Sequence, residues 1–144
     1  MWLKLSTFGL LPVLLIQGTK VRRNTPRLPE ASGDRDGLIG QGQPLSLLIL
    51  GDSAAAGVGV ETQQDALSGA IISELKTEYK LHWKLHAKTG DTTKQVYQAI
   101  QQLEPKKYDV VVTSVGVNDV TKLISATTWI KQQKQLFINS NASK

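Results

Sequence analysis

The chain has 144 residues, 40% of them hydrophobic, with a formal net charge of +5, which is material for one buried core and not for two. Its 17 Lys and Arg are dispersed rather than interleaved with aromatics, so a nucleic-acid surface is not expected. The absence of cysteine excludes disulfides, thiolate metal sites and a cysteine nucleophile, and leaves the redox compartment open.

The first element is the apolar segment Leu5 to Ile16, too short to span a bilayer. Lys4 precedes it, no Ala-x-Ala-like cleavage site follows, and Lys20, Arg22, Arg23 and Arg27 lie on its far side. These features predict a helical arm that packs on the domain or makes peripheral contact with an inner membrane surface, hence a cytoplasmic or inner-membrane-associated chain, with export left open. Lys20 to Pro44 collects Arg, Pro, Gly, Asp and Ser and reads as a linker. Residues 1–44 are therefore assigned to arm and linker, and 45–144 to an α/β domain.

Within that domain, Leu45 to Leu50 is a short apolar run closed by Gly51, the pattern of a central strand buried on both faces. Thr62 to about Tyr79 carries Leu67, Ala70, Ile71 and Leu75 at helical spacing. Leu81, Trp83, Leu85 and Ala87 then alternate with His82, Lys84 and His86, which suits an edge strand with one polar face. Asp91 and Thr92 can cap a second helix bearing Val96, Ala99, Ile100 and Leu103 and ending near Pro105. Asp109 to Ser114 is a β-branched strand, followed by a third helix from about Thr121 to Phe137. Alternating strands and helices with short connections predict a three-layer parallel sheet with helices on both faces, whose ligands gather at the carboxyl ends of the strands.

Three segments occupy those ends. Gly51-Asp-Ser-Ala-Ala-Ala-Gly-Val-Gly59 places Ser53 at a sharp turn of small residues. It lacks the Lys-Ser/Thr pair of a phosphate loop and the Gly-x-Gly-x-x-Gly spacing of a dinucleotide site. Lys88-Thr-Gly-Asp-Thr-Thr93 places Gly90 at a bend, where its backbone amide can point into the site, and Ser114-Val-Gly-Val-Asn-Asp-Val120 places the carboxamide of Asn118 where a neutral donor would be useful. Alone, each is an ordinary turn or cap.

Together, Gly51-Asp52-Ser53, Gly90 and Gly116-Val-Asn-Asp119 resemble blocks one, two and three of the SGNH (GDSL-like) ester hydrolases, over roughly Leu45 to Phe137. The resemblance implies a flavodoxin-like fold and hydrolysis of carboxylic esters through an acyl-serine intermediate, with no cofactor and no metal. It makes Ser53 the nucleophile, and makes the Ser53 amide, the Gly90 amide and the Asn118 side chain the oxyanion hole. The implied partner is a small-molecule ester, a short-chain carboxylic ester by default.

The family also carries an Asp-x-x-His segment, and none occurs in these 144 residues. A flavodoxin-like order calls for two further strands, so the domain reads as truncated after the third strand and helix, with that strand an exposed edge inviting self-association. His82 and His86 read as exposed edge-strand residues rather than catalysts. His-x-x-x-His suits metal binding on a helix and not on a strand. Asp52 and Asp119 read as turn and capping residues without a chemical role. Two functions follow: a hydrolase of weak activity unless another polypeptide supplies the histidine, or a catalytically inactive, ligand-binding or interaction module of the same fold.

Overall fold

In a computed structural model describing residues 2–103 and 107–141, the elements are α1 (Trp2–Asn24), β1 (Asp36–Ile39), β2 (Gln43–Gly51), α2 (Leu67–Leu75), β3 (Tyr79–Ala87), α3 (Thr93–Ile100), β4 (Val110–Ser114), α4 (Val117–Thr121) and α5 (Ala126–Asn141). β2 is central because Leu47, Leu48, Ile49 and Leu50 are all buried. Successive side chains of a strand serve opposite faces. Leu47 and Ile49 pack with Leu81, Trp83, Leu85 and the α2 residues Leu67, Ile71 and Ile72. Leu48 and Leu50 pack with Val96 of α3, Tyr108 and Leu136 of α5. Each fully buried leucine contributes roughly 1.5–3 kcal/mol, so the two apolar layers fix the α/β/α sandwich.

The sheet order is β1-β3-β2-β4. β3, β2 and β4 are mutually parallel, as the short crossovers predict, while β1 runs antiparallel to β3 from Asp36↔Lys84 to Ile39↔Leu81. Two expectations change here. β3 is not an edge, because β1 covers it, and the stretch 20–44 read as linker contributes that strand. Leu38 and Ile39 are too few to register as a period-2 pattern, and both are exposed. Pairing with β3, rather than burial, makes β1 a strand.

The helices also depart from their expected bounds. α2 begins at Leu67 rather than Thr62 because the intervening residues turn inward. Buried Gln63 sends Nε2 to the carbonyls of Ala31 (3.1 Å) and Ala56 (3.0 Å), and its Oε1 accepts from Ser68 Oγ at 2.8 Å. The single helix expected over Thr121 to Phe137 is split into α4 and α5. Leu123 adopts φ 56°, Leu123 N donates to Val120 O and Ile124 N to Asp119 O, both at 3.0 Å. These are the two bonds of a Schellman stop, and a leucine in the glycine position hides it from the sequence. Pro105, the expected end of the second helix, lies outside the described residues.

The start of β4 is stapled to β2. Ser46 donates to Asp109 Oδ2 through Oγ (2.6 Å) and backbone N (2.8 Å), and the Oγ bond first, then the backbone bond, hold the Asp109 carboxyl below the usual carboxylate range. At the other end of the chain the expected arm is a helix, α1, longer than the apolar run that predicted it. Its apolar side chains Leu10, Val13, Leu14, Ile16 and Val21 are exposed rather than packed on the sheet. Among the described residues no helix is long and apolar enough to cross a membrane.

Candidate active site

The backbone ladder continues past the strand ends, with Asp52 N donating to Ser114 O (3.0 Å) and Lys88 N to Gly51 O (3.3 Å), so the loops after β2, β3 and β4 leave side by side. After β2 the chain coils tightly: Ala56 N donates to Asp52 O (2.9 Å) and Val58 N to Ser53 O (3.0 Å). Ala55 and Ala56 are fully buried against the sheet. Ser53 is half-buried at the head of this coil. Among the described residues its hydroxyl has no hydrogen-bond partner.

Asp52 is buried, with Oδ1 accepting from Ala54 N at 3.1 Å, so it holds its own turn as read from the sequence. Asn118 Nδ2 donates to Asp91 O at 3.0 Å and lies 3.5 Å from Asp52 Oδ2. Both neighbours are acceptors, so the nitrogen of the amide faces them. Asn118 therefore touches the residue before Ser53 and the residue after Gly90.

One position further on, buried Asp119 accepts through Oδ2 from Thr93 N (2.9 Å) and Thr93 Oγ1 (3.0 Å). It satisfies a donor that the first turn of α3 would otherwise leave unpaired. Its capping is thus of a neighbouring helix, not of α4. Thr92 is the N-cap of α3, in a capping box with Gln95. Gly90, at φ +88°, is exposed in the turn closed by Asp91 N donating to Lys88 O at 3.2 Å, and its carbonyl accepts from Lys122 Nζ at 3.4 Å.

Residues 49–139, more than half of the chain, match the sequence profile of the GDSL-like lipase/acylhydrolase family. The chain belongs to the GDSL-like lipase/acylhydrolase family. Two solved structures share the fold of this GDSL-like chain. AlinE4, described as an SGNH-hydrolase family esterase, is 19% identical with a TM-score of 0.55 over 67% of this chain and 53% of its own. TesA is 23% identical with a TM-score of 0.56 over 68% of this chain and 55% of its own. The GDSL-like chain thus spans about half the length of these structures. Among curated proteins none matches it.

Both histidines of the GDSL-like chain lie on the face of β3 opposite Leu81, Trp83 and Leu85. His82 is exposed and His86 half-buried, so only the first matches the exposed placement expected of the pair, and β3 is not an edge. Neither donates to or accepts from the Ser53 hydroxyl. Burial lowers the His86 pKa, opposed by the negative charge of Asp91 and reinforced by Lys84 and Arg35. The unfolded chain therefore binds the proton first as pH falls. The stability that neutral His86 contributes is complete above the ordinary value of 6.5 and is lost as pH falls through the lower folded value. Urea titrations of His86→Gln between pH 7 and 5 should show a flatter dependence of stability on pH than the parent chain.

A cavity of about 670 Å³ lined by Ser32, Asp34, Ile39, Thr62, Ile72 and Trp83, among others, contains none of Ser53, Gly90 or Asn118. Two side chains that hold this region carry no signal in the sequence: Glu30 reaches Thr89 of the Gly90 loop and Arg35 reaches Ala87 at the end of β3. Glu30 and Arg35 lie in the stretch read as linker, and a Glu and an Arg five apart in a Pro- and Gly-rich segment look like ordinary surface.

Proposed function

We propose that this chain supplies the nucleophile and the oxyanion donors for acyl-serine hydrolysis of a small carboxylic ester. The reading is supported above all by Asn118, whose amide bridges the Ser53 and Gly90 loops through Asp52 Oδ2 and Asp91 O, together with a Ser53 hydroxyl that holds no hydrogen bond among the described residues. Ser53 Oγ attacks the ester carbonyl carbon, and its proton passes to a base. The carbonyl oxygen gains charge facing the amides of Ser53 and Gly90 and the Asn118 Nδ2. Collapse expels the alcohol, which takes up that proton, and water then cleaves the acyl-serine by the same route.

On this reading the imidazole for the proton transfer is supplied in trans: these 144 residues contain no Asp-x-x-His, and neither His82 nor His86 bonds Ser53. General-base assistance contributes about 10²–10⁴-fold. A fluorophosphonate probe should therefore label the chain slowly alone and at least tenfold faster with added imidazole, and peptide mapping should place the adduct on Ser53. The unbonded hydroxyl also favours a second reading, a ligand-binding module of the same fold without turnover. Absence of any Ser53 adduct at high imidazole, with the chain folded, would select that one.

The finer placements belong to the same proposal. The exposed apolar side chains of α1 support peripheral membrane contact through residues 5–16 of a cytoplasmic or inner-membrane-associated chain. β4, an edge among the described strands, supports self-association.

A further inference from the structure

We propose that Glu30 to Arg35, which lies outside the family-matched residues 49–139, is a positioning bracket that holds the Ser53 turn and the Gly90 loop in fixed register. The inference rests on the acyl-serine reading for its purpose, but its geometry stands apart from it.

On one side the segment is bound to the Ser53 turn. Ala31 N donates to Ala56 O (3.2 Å), and Ser32 N to Glu61 O (2.9 Å). Gln63 Nε2 then ties the carbonyls of Ala31 and Ala56 together at 3.1 and 3.0 Å. The fit is close: Gly57 takes φ +77°, and a Cβ built on it would lie 2.6 Å from Ala31 Cβ and 2.8 Å from Ala66 Cβ. Ala31 is buried. The contact therefore admits no side chain between bracket and turn.

On the other side the segment grips the loop after β3. Glu30 Oε1 accepts from Thr89 N at 2.7 Å, while Glu30 Oε2 accepts from Arg35 NH2 at 2.7 Å. Arg35 NH1 donates to Ala87 O at 2.7 Å, so the guanidinium anchors the carboxylate to the end of β3. Partial burial opposes ionisation of Glu30, but the Thr89 and Arg35 bonds outweigh it and hold its pKa below the ordinary value. Charge-assisted bonds to backbone are stronger than neutral ones.

Gly90 is thus suspended between two held neighbours. Glu30 fixes the Thr89 amide, and Asn118 fixes the Asp91 carbonyl. The Thr89–Gly90 peptide that would present the Gly90 amide to an oxyanion is flanked by two held groups, the Thr89 N–H of the peptide before it and the Asp91 carbonyl that follows Gly90. Removing Glu30 frees one of them while leaving Ser53, Gly90 and Asn118 in place, and this defines a positioning residue rather than a catalytic one.

The test uses the ¹⁵N-labelled 144-residue chain carrying Glu30→Ala, Arg35→Met or Glu30→Gln. In Glu30→Ala and Arg35→Met the backbone order parameters of Thr89 and Gly90 should fall from the rigid range near about 0.85 to below about 0.6. Ile49 and Leu85 should be unchanged, and imidazole-assisted labelling of Ser53 should slow about tenfold. Glu30→Gln, which keeps an acceptor for Thr89, should retain most of both. Unchanged order at Thr89 and Gly90 in Glu30→Ala overturns the bracket. Equal loosening at Ile49 and Leu85 overturns it in favour of general fold support. Loosened Thr89 and Gly90 with an unchanged labelling rate overturns the positioning role. If the parent chain takes no label at any imidazole concentration, the acyl-serine reading fails, and the relaxation data still decide the bracket.

Discussion

Asn118→Ala is expected to slow imidazole-assisted labelling of Ser53 by about 10²–10³-fold, the loss that follows removal of one oxyanion donor, equivalent to about 2.7–4 kcal/mol. The amide carries two hydrogens. One is committed to Asp91 O at 3.0 Å, while the other points toward Asp52 Oδ2 at 3.5 Å, the outer limit of a hydrogen bond. Exchanging that long contact for a charged oxygen at bonding distance is favourable, so the second hydrogen is the one available to the transition state. Alanine also removes the bond to Asp91, which costs about 1 kcal/mol of stability. A thermal melt therefore separates the effects: a small fall in Tm with a large fall in rate identifies a donor, whereas labelling within threefold of the parent shows that Asn118 only ties loops together.

The largest effect on stability is expected from Gly51→Ala. Gly51 ends β2 between Ala87 of β3 and Ser114 of β4. A Cβ there would stand 2.4 Å from Ser114 O and 2.5 Å from Ala55 Cβ. Both obstacles are rigid, one a backbone carbonyl of the paired strand and the other a buried methyl, so β4 or the Ser53 turn must move. Overpacking of a core costs about 1–3 kcal/mol, and the upper end applies because backbone is displaced. Urea unfolding should report a loss of about 3 kcal/mol; a loss under about 1 kcal/mol would mean that the β2–β4 spacing yields easily. The glycine that opens the Gly-Asp-Ser motif is thus required sterically, whatever the chemistry of the serine.

The sheet core was legible in the sequence because its signals are physical and local. Leu47 to Leu50 form an unbroken apolar run, and Leu81 to Ala87 alternate, so burial on two faces and on one could be read directly. The three loops were legible because strand ends are where short side chains and turns accumulate. What escaped depends on contacts distant in sequence or on residues in unusual roles. β1 exists through pairing with β3, and Gln63 breaks a helical pattern by bonding carbonyls of Ala31 and Ala56. Leu123 occupies a left-handed cap usually held by glycine. Glu30 and Arg35 act through Thr89 and Ala87, more than fifty residues away. Asp119 follows an Asn-Asp pattern that signals capping, but its partner, Thr93 of another helix, leaves no mark in the sequence.

The pairing of β1 with β3 has a kinetic consequence. Asp36 to Ile39 meet partners at positions 81–84, so β1 is synthesised well before the strand that receives it. Closing a loop of that length carries an entropic penalty that must be met before the contacts reward it. β1 and the attached Glu30–Arg35 segment therefore join late in folding, onto a β2–β3 pair already formed. β4, whose partners on β2 are farther away in sequence than those of β1 on β3, closes at the greater entropic cost, so the strap that fastens the Gly90 loop does not wait for the whole parallel sheet.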